Sequence, residues 1–200
     1  MKTMTTILLL IASIPLFAQN TPMDTTVLHY REIPAYPDSF SAENVVARMI
    51  DGLGFRFYWA TEGLRPEDLA FRPSAEARTS EETIDHILGL SNIIINAVKQ
   101  QPNVRSGEET SPLSFEVKRK QTLDNLKTAS DMLKNTGGSL AEYPIIFING
   151  EKRSEFPFWN MLNGPIADAL WHVGQVVSFR RSSGNPFNGK ASVFTGKVRE

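Results

Sequence analysis

The chain has 200 residues, which is enough for one domain with a substantial core. Its formal net charge of −1 supplies no basic field for nucleic acid and no polybasic patch for a membrane surface. It has no cysteine, which excludes thiolate catalysis, disulfides and cysteine-type zinc sites, and its three histidines are His29, His86 and His172.

Residues 1–18 combine Lys2, an apolar run from Ile7 to Phe17 and a small residue, Ala18. This is the pattern of a signal peptide, cleaved near Ala18 although Leu16 occupies the −3 position. The apolar run is too short to span a bilayer as a helix, so no stable membrane insertion is expected. The mature protein is expected to be secreted, as a periplasmic or extracellular protein. Residues 19–40 carry Pro22, Pro34 and Pro37 and read as an extended segment lying over the domain, with His29 as a surface residue.

The spacing predicts a first helix over 42–62, with Ser41 as its N-cap. Val46, Met49, Ile50, Leu53, Phe57, Ala60 and Leu64 form its apolar stripe, and Gly52 and Gly54 permit close packing. A second face carries Arg48, Phe55, Trp59 and Glu62, where Trp59 and Glu62 serve either a pocket or ordinary packing. After a short helical turn over 64–69, Thr79 and Glu82 make a capping box for a second helix over 80–99. Ile84, Ile87, Leu88, Ser91, Ile94, Ile95 and Val98 face its core, with His86 one step round.

A polar loop over 100–112 leads to a third helix over 114–134. Leu123, Leu126, Ala129 and Leu133 face inward, while Lys120, Asp124, Lys127 and Asp131 alternate in sign on a solvated face. Nothing on this helix suggests chemistry. Residues 144–148 are apolar and β-branched and precede Asn149-Gly150, which allows a small hairpin before the last helix. The fourth helix is expected over 158–181, with a kink or restart at Gly164-Pro165. Residues 186–200 read as a polar C-terminal tail.

These elements define an all-α chain, a four-helix bundle over residues 41–185. Asp168 and His172 are four residues apart on the fourth helix and share a face. His86, on a second helix, can complete a set of three metal ligands. Two imidazoles and a carboxylate suit a divalent ion such as zinc, nickel, manganese or iron. Spacing alone leaves three roles open for Asp168: ligand, helix cap, or hydrogen-bond partner of His172.

Three stretches carry a family resemblance. Asp168-Ala-Leu-Trp-His172-Val-Gly-Gln175, followed by Phe179-Arg-Arg-Ser-Ser-Gly184-Asn-Pro, resembles the last helix of the DinB-like (YfiT-like) metal-dependent hydrolase superfamily. Thr83-Ile-Asp-His86-Ile-Leu-Gly-Leu resembles its second helix, and Leu64-Arg-Pro-Glu-Asp-Leu-Ala-Phe-Arg-Pro73 resembles the connection before it. The match covers roughly residues 42–185. It implies an up-down-down-up bundle with a three-ligand divalent metal site at His86, Asp168 and His172. The family's usual helix-four pattern is His-x₃-His, and Asp168 stands at the first of those positions. The resemblance also implies an activity: hydrolysis of a small molecule by a metal-activated water, or a thiol-dependent transfer. The alternative is a non-catalytic exported bundle that binds a small apolar ligand at Phe55, Trp59 and Trp171. Either way the expected partner is a small molecule, and the apolar faces leave room for a homodimer.

Overall fold

The structure is a computed structural model that describes residues 28–105 and 112–200. The signal-peptide segment, residues 1–18, lies outside the described residues.

The first long helix, α1 (Ala42–Thr61), starts where the Ser41 hydroxyl accepts from the Asn44 amide. A four-residue turn of helix, α2 (Pro66–Leu69), follows. The next helix, α3 (Ser80–Val98), begins at the capping box: the Glu82 amide donates to Thr79 Oγ1 at 3.0 Å and the Thr79 amide to Glu82 Oε2 at 2.7 Å. The third long helix, α4 (Phe115–Lys134), is capped by Ser114. A short α5 (Trp159–Met161) runs through a π-helical segment, Leu162–Ile166, into α6 (Ala167–Ser182). Helix α1 packs against α4 and α6, and α3 packs against the same two partners. Their shared core holds Ile50, Leu53 and Phe57 of α1, Ile84, Ile87 and Ile94 of α3, Leu123 and Leu126 of α4, and Val173 and Val176 of α6.

The chain is mostly helical, not all-α, because two small sheets complete it. Strand β1 (Asn103–Val104) pairs in parallel with β2 (Ile145–Asn149), which forms an antiparallel hairpin with β3 (Lys152–Phe156). Asn149 pairs with Lys152, leaving a two-residue loop whose first member, Gly150, has φ 58°. That conformation favours glycine and closes the hairpin tightly. Ile145 joins the helical core, and its neighbour Ile146, on the opposite face of β2, is also buried. Residues 186–200, expected as a polar tail, instead fold back: β4 (Ala191–Ser192) pairs with β5 (Lys197–Val198), and Ala191 enters the core.

The segment over 28–40 lies on the helices. The Tyr30 ring sits where Gly54 leaves no side chain; a Cβ there would collide with the ring carbons. The Tyr30 hydroxyl donates to Asp51 Oδ1 at 3.0 Å, and Lys134 donates to Asp51 Oδ2 at 2.6 Å. Burial, then the Asp51 charge, raises the Tyr30 phenol far above its ordinary pKa, so it acts only as a donor. Met49, placed on the apolar stripe by its spacing, is instead partly exposed.

Candidate metal centre

The turn that aims α6 is local. Pro165 has no amide to donate, and Gly164 leaves helical geometry with φ −93° and ψ −108°. The helix is therefore broken at Gly164-Pro165, and α6 takes its direction afresh beyond the kink. Beyond it, Ala169, Val173, Val176 and Arg180 take the buried face. Asp168, His172 and Gln175 fall on one flank of that face, toward α3. Leu170, Gly174 and Val177 fall on the other, toward α1.

His86 of α3 meets that first flank. Its Nε2 lies 3.1 Å from Asp168 Oδ2, and His172 Nε2 lies 3.3 Å from Asp168 Oδ1. The two imidazole rings stand edge to face, with centroids 4.6 Å apart. One ligand atom from each of His86, Asp168 and His172 lies within 4.8 Å of the others, so this group could hold a metal ion. Ligands bound at about 2.0–2.1 Å in a tetrahedral arrangement stand about 3.3 Å apart; the separations of 3.1 and 3.3 Å seen here run to different oxygens of Asp168, and one atom from each residue stays within 4.8 Å of the others. The donor set, two nitrogens and one oxygen, also suits a divalent transition metal.

The alternative of Asp168 as a helix cap does not hold. Among the described residues its carboxylate contacts the two imidazoles and no backbone amide. His172 Nδ1 lies 2.7 Å from Gln175 Oε1. A proton on Nδ1 donated to that oxygen leaves the Nε2 lone pair facing the carboxylate. In that tautomer Nε2 is free to ligate a cation shared with the carboxylate, whereas a proton on Nε2 would make it a donor to Asp168. Gln175 belongs to the stretch that carries the resemblance, but one turn of helix from His172 it gave no sign of its role.

His29 is placed elsewhere, half-exposed, 3.6 Å from Asp124 of α4. Glu62 pairs with Arg119 and is not a free base. Trp171, named with Phe55 and Trp59 for an apolar pocket, is 73% exposed and lines a different surface. Phe55 and Trp59 do share a cleft, away from the histidines.

Beside Asp168 opens a cavity of about 280 Å³. Leu90 and Ile93 of α3 and Phe147 and Phe156 of the hairpin form its apolar walls, and Asn160 and Asn163 supply its amides. The hairpin therefore does more than cover an end of the helices: it builds one wall next to the candidate ligands. No helix among the described residues is long and apolar enough to cross a membrane. No protein-family model, no curated protein and no solved structure matches this chain.

Proposed function

We propose that the chain is an exported divalent-metal-dependent enzyme of the DinB-like kind, an up-down-down-up four-helix bundle that hydrolyses a small molecule at His86, Asp168 and His172. One observation carries the reading. Residues 82 positions apart on two helices bring two imidazole Nε2 atoms onto a single carboxylate. A pair four residues apart on one helix arises readily by chance; a third ligand-type side chain meeting it from another helix does not.

His86 and His172 would hold the ion through Nε2, and Asp168 would lower its net charge. Gln175 would keep the His172 proton on Nδ1. A divalent ion with three protein ligands retains open positions and supplies the acidification of water and the polarisation of a carbonyl. The open pocket beside Asp168 would take a small, largely apolar substrate, oriented by Asn160 and Asn163 and resting against Phe147 and Phe156. Replacing one histidine of the usual pattern by Asp168 makes the donor set harder, which favours manganese or iron relative to zinc.

The test is elemental analysis of the purified protein after reconstitution with zinc, nickel, manganese or iron, beside His86→Ala and His172→Ala. Near-stoichiometric metal in the parent and its loss in both variants is the expected result. Absence of bound metal with all four ions would overturn the proposal. With metal bound, ester and amide panels test the hydrolytic half, and turnover should disappear on chelation.

A further inference from the structure

The other flank of α6 faces a cleft of about 610 Å³, more than twice the volume beside Asp168. Its walls are Phe55 and Trp59 of α1 and Leu170, Val173 and Val177 of α6. The folded-back residues Phe187, Ala191 and Val193 close its third side. This is space of the size that small-molecule ligands fill.

Three arginines also line it: Arg48, Arg56 and Arg181, with no aspartate or glutamate among the lining residues. Their interactions are with neutral groups. Arg48 donates to the Pro34 carbonyl at 2.8 Å and covers the Tyr36 ring. Arg56 folds back to donate to the Gly52 carbonyl at 2.9 Å, and Arg181 lies over the Phe187 ring. Several cations packed on the helices do face a carboxylate, Arg65, Lys118, Arg119, Lys120, Lys127 and Lys134 among them, whereas the buried Arg180, like the cleft arginines, meets neutral oxygens. Among the described residues the three cleft arginines have no carboxylate partner within 4.0 Å. A guanidinium satisfied by one carbonyl or an aromatic face still has donors to offer an oxyanion.

We propose that this cleft binds a single-chain amphiphile with an anionic head. The chain lies against Phe55, Trp59 and the aliphatic side of α6, and the head is held by the arginine donors. An apolar floor alone accepts any oily molecule; three cations without counter-charge select an anion. The site is separate from the histidine cluster and stands whether or not that cluster holds a metal.

Dodecanoate and dodecyl phosphate are the probes, with dodecanol as the neutral counterpart, titrated calorimetrically into the purified protein. Either anion should bind at least tenfold more tightly than dodecanol, and the pair of anions identifies the preferred head. Each two-carbon shortening should weaken binding roughly tenfold, as burial of methylenes requires. Of Arg48→Gln, Arg56→Gln and Arg181→Gln, at least one should weaken anion binding about tenfold and leave dodecanol unchanged. Gly174→Phe fills the cleft, since a Cβ there meets nothing within 4 Å, and should abolish binding while the protein stays folded by circular dichroism. His172→Ala should leave the affinity unchanged. The proposal is overturned if neither anion binds, if dodecanol binds as well, if no arginine variant has an effect, or if His172→Ala removes binding.

Discussion

The Asp168 carboxylate stands between two imidazoles, and in the proposed site its chemistry would set which ion is preferred. Changing Asp168→His gives three nitrogen donors, which should shift a competition titration from manganese toward zinc and nickel. Unchanged selectivity would show that Asp168 is not a ligand. Gln175 contacts His172 on its far side and in the proposed site would act through it. Gln175→Leu removes the acceptor for His172 Nδ1 and should lower metal affinity about 10–100-fold while the melting temperature of the metal-free protein stays close to the parent's. Neither residue's role follows from its type, because aspartate and glutamine on a helix are most often solvated. The Asp168 and His172 pair was legible from its spacing; the Gln175 contact depends on rotamers that spacing does not specify.

At the scale of elements, Arg180 resolves how α1 ends. The last carbonyls of a helix need donors, and α1 has no basic residue in its final turn. Arg180 of α6 donates instead, to the carbonyls of Trp59, Ala60 and Glu62, and its Nε to the Asn185 carbonyl. Burial of this guanidinium lowers its pKa from the ordinary value, although the nearby Asp68 and Glu62 charges offset part of the effect. Arg180→Ala should therefore destabilise the fold by about 3 kcal/mol in urea titration, since several buried acceptors lose their donor together. Gly54→Ala should cost about 1–3 kcal/mol by pushing against the Tyr30 ring. The requirement for small residues on α1 was readable as Gly52 and Gly54. The partner that demands one of them was not, because Tyr30 lies in a segment with no periodicity.

For the molecule as a whole, Asp68 fastens the α2 turn to the end of α6. Its buried carboxylate accepts from Arg65, from the Ser183 hydroxyl at 2.6 Å and from Asn185 Nδ2 at 2.6 Å. The Arg65 hydrogen bond, helped by Ser183, holds its pKa well below the ordinary carboxylate range. A depressed folded-state pKa adds stability above the unfolded value of about 3.9, and that stability is lost as pH falls below it. Asp68→Asn should cost about 2 kcal/mol at pH 7, with a smaller difference from the parent at pH 3, read from urea midpoints at both pH values. An equal deficit at both would assign the effect to packing instead of charge.

Local chemistry decided the helices, their caps, the hairpin turn and the break before α6. Ser41, the Thr79 and Glu82 box, Asn149-Gly150 and Gly164-Pro165 act on neighbours within a few residues, so their effects can be read along the chain. Tertiary structure alone decided that His86 reaches Asp168, that Arg180 caps a distant helix, and that residues 186–200 wall a cleft instead of trailing as a tail. The His86–Asp168 contact joins positions 82 residues apart and the Arg180–Trp59 contact positions 121 apart. They depend on how amphipathic faces choose one another when the core closes, and a pattern of apolar spacing says which face is buried without saying against what.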